Sequence, residues 1–197
     1  MNNLSLLKSS NGVQVVDLDS RLFSKRIIFI DDEEITPNLV NNVFKNIMVL
    51  KWESETKPIT ILINSAGGNI QAGMQLYDLL QTCKTPIRIV AIGQASSMAA
   101  VLLAAGKHGR YVFENTSVMI HQPLLGNAVS GNTTSIKEIS DHLIETKEKM
   151  NRLLAKHTNK TVEEIDKATS YDHYFTAQEA VEFGLCDKII GFEELFE

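Results

Sequence analysis

The chain is 197 residues long, with 19 Lys and Arg against 24 Asp and Glu for a net charge of −5, and 44% of its residues are hydrophobic. That composition excludes long disorder and collagen-like or low-complexity classes, and the length suits one domain with a single core. Mild acidity without a Lys/Arg block argues against a nucleic-acid surface, while Cys83 and Cys186 form neither a metal spacing nor a disulfide framework, as befits a reducing compartment.

Residues 1–19 are polar and weakly patterned, and are expected to be a flexible N-terminal arm ahead of a single domain over 20–197. They lack a basic region followed by an apolar core, so no secretory leader is expected. Residues 26–30 form a short β-branched run. Thr36-Pro37 then opens a helix whose Leu39, Val40, Val43, Phe44, Ile47 and Met48 share a face. Residues 59–63 read as a strand buried on both faces. Residues 70–83 are helical, with Ile70, Met74, Leu76, Tyr77 and Leu80 as the apolar stripe. A strand over 87–92, a helix over 97–105 and short strands at 111–113 and 118–120 follow. The uncharged run 89–106 raises a membrane span, but Gly93, Gln94, Ser96 and Ser97 interrupt it, so strand, turn and buried helix fit better. This alternation predicts an α/β fold with a mostly parallel sheet.

From 134 to 157 the positions Ile136, Ile139, Leu143, Met150 and Leu153 recur at near-heptad spacing, predicting one helix of about 24 residues, or about 36 Å. Its apolar stripe is satisfied either by a partner or by its own sheet, and the spacing leaves both open. Two short helices follow behind capping boxes, Thr161 with Glu164 and Thr176 with Glu179, and Gly184 fits the stop of the second.

Ligands of open parallel sheets sit beyond the carboxyl ends of strands. There the chain places Gly67-Gly68, then Ser96-Ser97 at a helix start, then His121. Each alone has an ordinary reading: a tight turn, an N-cap, a solvated imidazole. Together they supply parts for acyl transfer: a hydroxyl, a base suited to neutral pH, and backbone N–H donors at Gly68 and Met98 for an oxyanion. Asp172 is a candidate orienting carboxylate, in an aromatic-flanked stretch where an idle acid would be costly. Spacing does not choose Ser97 over Ser96, nor His121 over the other histidines. His173 adjoins Asp172, but neighbours in extended chain face opposite ways.

Residues 64–68 (NSAGG), 93–100 (GQASSMAA) and 119–124 (MIHQPL) resemble the proteolytic subunit of the Clp protease, the ClpP family, over about 20–190. The resemblance implies Ser97 as nucleophile, His121 as base and Asp172 as acid, with the oxyanion donors at Gly68 and Met98. It places the peptide as an added strand between Asn69, Ile70, Gln71 and Leu124, Leu125, Gly126. It implies a ClpP/crotonase-like fold of repeated β-β-α units with the long helix as a projecting handle. It further implies a cytoplasmic serine endopeptidase of two stacked heptameric rings, a tetradecamer. Unfolded polypeptides would be delivered by an AAA+ unfoldase that binds the ATP, so no cofactor is expected on this chain, nor a nucleic-acid or membrane partner.

Departures from the family pattern are Ala66 for a proline, Leu125 for a glycine and Tyr171 for an arginine that ties the acid's segment to the opposite ring. Thr60, Leu62 and Thr82 stand where relatives carry aromatic residues that receive the unfoldase, so docking is expected to be weak or altered. An alternative is a weak or inactive scaffold subunit mixed with a paralogous subunit. A crotonase-type hydratase or isomerase leaves the co-occurrence of Ser97, His121 and Asp172 without a reason.

Overall fold

The structure is a computed structural model and describes residues 4–10, 12–126 and 128–196. Residues 1–3 and Asn11 of the expected arm lie outside the described residues. The rest of that arm folds: β1 (Leu4–Ser9) pairs antiparallel with β2 (Gly12–Asp17), and α1 (Leu18–Ser24) follows with Asp17 as its N-cap. Leu4, Leu6, Val13 and Val15 remain exposed on this hairpin. Its short alternating runs satisfy each other's backbone groups, which weak patterning did not announce.

The body is a mostly parallel α/β fold. β3 (Ile27–Ile30), α2 (Pro37–Glu53), β4 (Ile59–Ser65), α3 (Ile70–Thr82), β5 (Ile87–Ser96) and α4 (Met98–Ala104) alternate as expected. β6 (Arg110–Val112) and β7 (Ser117–Ile120) follow, then α5 (Thr133–Thr158), α6 (Val162–Thr169), β8 (His173–Phe175), α7 (Ala177–Phe183), β9 (Lys188–Ile189) and a 3-10 turn (Glu193–Phe196). The sheet order is β3-β4-β5-β6-β9, all parallel. β7 joins β5 in parallel and β8 joins β7 antiparallel.

β5 outruns its expected end at 92 because it changes partner. Ile89, Val90 and Ala91 pair with β6, and beyond Gly93 the residues Gln94, Ala95 and Ser96 pair with β7. Gly93 sits at φ +70, and a Cβ there would lie 2.8 Å from Asn64 Oδ1, which accepts from Gln94 N at 3.2 Å. Glycine takes this positive φ without a side-chain penalty, which lets the strand turn here. α4 is buried on every side, which explains the uncharged run in its sequence. Among the described residues no helix is long and apolar enough to cross a membrane.

α5 spans 26 residues, about 39 Å, and divides into two parts. Met150, Asn151, Leu154 and Thr158 are buried, whereas Ile136, Ile139 and Ile144 are exposed. The helix therefore projects, rather than lying across its own sheet. Both capping boxes form as read, and Gly184 ends α7 at φ +96.

Two arginine-centred networks fix the frame. Arg110 Nη1 donates to Ala104 O (3.4 Å), His157 O (2.8 Å) and Gly184 O (2.9 Å), joining the ends of α4, α5 and α7. Asp187 holds its guanidinium from the other side. Arg26, at φ +63, donates to the carbonyls of Leu50, Ser54, Lys57 and Pro58 behind α2.

The root of α5 also holds a half-buried imidazole. Tyr77 hydroxyl lies 3.0 Å from His157 Nε2 and accepts from Lys156 Nζ at 3.4 Å, an arrangement that suits a neutral ring accepting from the tyrosine. Burial, helped by Lys156 and Arg110, pushes His157 down from its ordinary 6.5 to about 4. The unfolded chain then binds more protons between those values, so this contribution to stability is complete above about pH 6.5 and drains as pH falls toward 4. Urea midpoints measured from pH 7 to 4 are expected to fall less steeply for His157→Gln than for the wild type. Identical slopes would show that the ring carries no such linkage.

Candidate active site

The site is assembled where β4, β5 and β7 end. Ser97 follows β5 directly and takes φ 55, ψ −121, a region costly for a residue with a side chain. Its N–H donates to Met119 O at 2.8 Å, tying the turn to β7. The Ser97 side chain does not cap α4, so the N-cap reading of this serine fails and its hydroxyl is left for other use.

The space for that turn comes from Gly67, at φ +101. A Cβ there would meet Ser96 O at 2.6 Å, Ser97 Cβ at 2.7 Å and Met98 N at 3.0 Å. Gly68, at φ +146, would meet the Ile35 backbone at 2.6 Å. Ile35 N donates to Gly67 O and Asn69 N donates to Ile35 O. That bridge leaves the Gly68 N–H out of its bonding. Met98 is the first residue of α4, so its N–H has no partner within the helix. The N–H groups of Gly68 and Met98 are therefore both left out of the bridge and helix bonding around Ser97.

His121 follows β7, and its Nε2 lies 2.8 Å from Ser97 Oγ. This contact chooses Ser97 over Ser96 and His121 over the other histidines. The antiparallel register of β7 with β8 pairs Ile120 with His173, which brings Asp172 opposite His121. Asp172 Oδ1 lies 3.3 Å from His121 Nδ1, but the ring N–H is not aligned for a hydrogen bond and Nδ1 is otherwise unpartnered. The Asp172 side chain is 56% exposed. Its surroundings do not make an idle acid costly, contrary to the expectation from the sequence, because Tyr171 and Tyr174 are exposed as well. The register, not burial, brings the carboxylate to the imidazole. His173 turns away and stacks on Phe175 at 4.2 Å.

A groove of about 840 Å³ runs past Ser97 and His121, lined by Gly68, Asn69, Ile70 and Gln71, by Leu124, Leu125 and Gly126, and by Ile139, His142 and Leu143 of α5. All six expected substrate contacts thus meet in one place. Asn69 also serves α3 as N-cap, accepting from Ala72 N at 2.9 Å. Next to Ser97 a recess of about 30 Å³ is lined by Ile70, Met98, Val101, Ile120, Met150 and Leu154, with Asn151 and Pro123 at its margin. Met150, Asn151 and Leu154 come from α5 and were not expected at the site. Only Met150 belongs to the near-heptad stripe, and such a stripe does not say which of its turns is rooted in the core.

A hydroxyl, an imidazole and a carboxylate in series, beside two free N–H groups, can generate a serine nucleophile and accept the oxyanion that its attack creates. The elbow depends on Gly67, so Gly67→Ala is expected to lower unfolding free energy by about 2 kcal/mol or more. Gly126→Ala, with nothing within 4 Å of the added Cβ, is expected to change it by less than about 1 kcal/mol. Denaturant titrations of the two variants provide the comparison, and equal effects would remove the close approach as the reason for glycine at 67.

One comparison with known proteins bears on the whole site. The sequence model of a family described as Clp protease matches residues 10–193. That match spans the sharp turn at Ser97, the histidine after β7 and the β8 segment, in a chain whose fold is mixed and mostly parallel. With nearly all of its 197 residues covered, this chain belongs to the Clp protease family, the ClpP-type serine peptidases.

Proposed function

We propose that the chain is a serine endopeptidase, the proteolytic core subunit of an ATP-dependent protease acting on unfolded polypeptides. The observation that carries this reading is the 2.8 Å contact of His121 Nε2 with Ser97 Oγ, on an elbow whose cost only a reactive serine justifies. Ser97 Oγ attacks the scissile carbonyl carbon while His121 takes its proton. The oxyanion accepts from the N–H groups of Gly68 and Met98. Collapse of the intermediate expels the amine, protonated by His121, and water then releases the acyl group by the same path. Asp172 orients the imidazole and offsets its charge. A chain in extended form adds as a strand between residues 69–71 and 124–126, and the recess beside Ser97 favours an apolar side chain before the scissile bond.

Projection of α5 with Ile136, Ile139 and Ile144 uncovered supports a ring-on-ring assembly of identical chains, as two heptamers, with the exposed stripe as handle. ATP is used by the partner unfoldase. A second reading, a weak or inactive subunit in a mixed ring with a paralogue, is favoured by the unaligned, exposed Asp172.

A serine-directed fluorophosphonate separates the two. The assembled particle is expected to be labelled at Ser97, with labelling abolished in Ser97→Ala and slowed at least about a hundredfold in His121→Ala. An assembled particle that takes no label would establish the scaffold reading.

The docking surface has its own expectation. Thr60 accepts from Arg88 Nε at 2.8 Å. Leu62 is buried with Val90 and Ile190 beneath Leu195, whose carbonyl Arg88 also holds. Thr82 bonds back to Asp78 O. None of the three offers the aromatic anchor that such clefts use. An unfoldase bearing an apolar docking loop is therefore expected to stimulate degradation by the homo-oligomer little, and strong stimulation would overturn that expectation.

A further inference from the structure

Asp172 reaches His121 across a short stretch of chain that has few restraints of its own. Tyr171 is 86% exposed and its side chain has no partner among the described residues. Pairing with β7 begins only at His173. On the other side the last fixed point is Ser170, and what ties it to the base is Gln122, the residue directly after His121. Gln122 Nε2 donates to Ser170 O at 3.0 Å, and Gln122 N donates to Thr169 O at 2.7 Å. A carbonyl can only accept, so the orientation of the Gln122 amide is set by its partner.

We propose that Gln122 is a positioning residue that sets the distance and alignment of the Asp172 carboxylate on His121. It closes a small loop: His121 to Gln122 by the chain, Gln122 to Ser170 by the side-chain bond, Ser170 to Asp172 by the chain, and Asp172 back to His121 across 3.3 Å. The far side of the loop is anchored independently. Ser170 Oγ donates to Asp166 O at 2.7 Å, and Thr169 Oγ1 donates to the buried Asn151 Oδ1 at 3.2 Å. Asn151 Nδ2 and Lys147 Nζ both hold Asp166 Oδ1, at 2.9 and 2.7 Å. The end of α6 is thus fastened to α5, and Gln122 joins that unit to the loop that carries the base. Without the side-chain bond, Ser170 stays tied to Asp166 but loses its own link to the His121 segment, which then meets the end of α6 only through the bond of Gln122 N to Thr169 O.

The inference rests on the triad reading of Ser97, His121 and Asp172, and the experiment separates the two. Gln122→Met keeps the length of the side chain and leaves the backbone bond to Thr169, removing only the donor. Full-length assembled protein is assayed with a short peptide substrate and, in parallel, by hydrogen exchange. Gln122→Met is expected to lower kcat about ten- to a hundredfold with KM within about twofold. In an Asp172→Asn background the same change is expected to have no further effect. Amide exchange over 171–173 is expected to quicken in Gln122→Met while exchange in β4 and β5 stays unchanged. A full additional loss in the Asp172→Asn background, or unchanged exchange over 171–173, would overturn the inference. A wild type without Ser97-dependent turnover would refute the peptidase reading, and the exchange result would still decide whether Gln122 holds the segment.

Discussion

The site is organised around one close approach: the backbone of Gly67 against the turn at Ser96, Ser97 and Met98, near enough that a Cβ would lie 2.6 to 3.0 Å from three of its atoms. Because β4 and β5 are neighbours in the sheet, the loops leaving them must share a narrow space, and a residue without a side chain on one loop lets the other turn sharply. That sharp turn puts Ser97 at positive φ, lifts its hydroxyl off the helix end and leaves the Met98 N–H free. A serine that capped α4 in the ordinary way would spend its oxygen on the helix and offer the base nothing.

The cost of the strained turn is met by burial around it. α4 is apolar on every face and carries Ala99, Ala100 and Ala104, whose small side chains let neighbouring elements come close. Met98 lies against Gly73 of α3, where a Cβ would be 2.3 Å from its side chain. The fold holds the elbow by packing it from several directions, since strain of about 1–3 kcal/mol persists only where the surroundings over-determine it. The same packing brings Met150 and Leu154 from the root of α5 beside Ser97, so the helix that projects from the domain also walls the recess next to that serine.

Much of this was legible in the sequence for physical reasons. The strand at 59–63 and the run at 97–105 are continuous apolar segments, and buried parallel strands and buried helices must be so. Gly67, Gly68, Ser97 and His121 follow strands at one sheet edge, and the topology alone makes them neighbours. The role of Asp172 was harder to derive. Its flanking tyrosines suggested a buried acid, yet it is exposed and reaches His121 through the register of β7 and β8, a three-residue strand that no periodicity can announce. The hairpin of β1 and β2 was hidden for a related reason, since strands stabilised mainly by pairing with each other carry a weak burial pattern. The extension of β5 past Gly93 depended on a change of partner, which is information about the sheet and not about the strand.

The three side chains in line are held to different degrees. Ser97 is fixed by the elbow, and His121 is mostly buried, with its Nε2 on the serine. Asp172 lies in an exposed stretch anchored at Ser170 and again at His173, with its oxygen near Nδ1 but out of line. Ser97 and His121 are thus set rigidly, and Asp172 is set loosely beside them. The contact of His121 with Ser97 is therefore held by packing on both sides, whereas the contact of Asp172 with His121 rests on the short chain between Ser170 and His173.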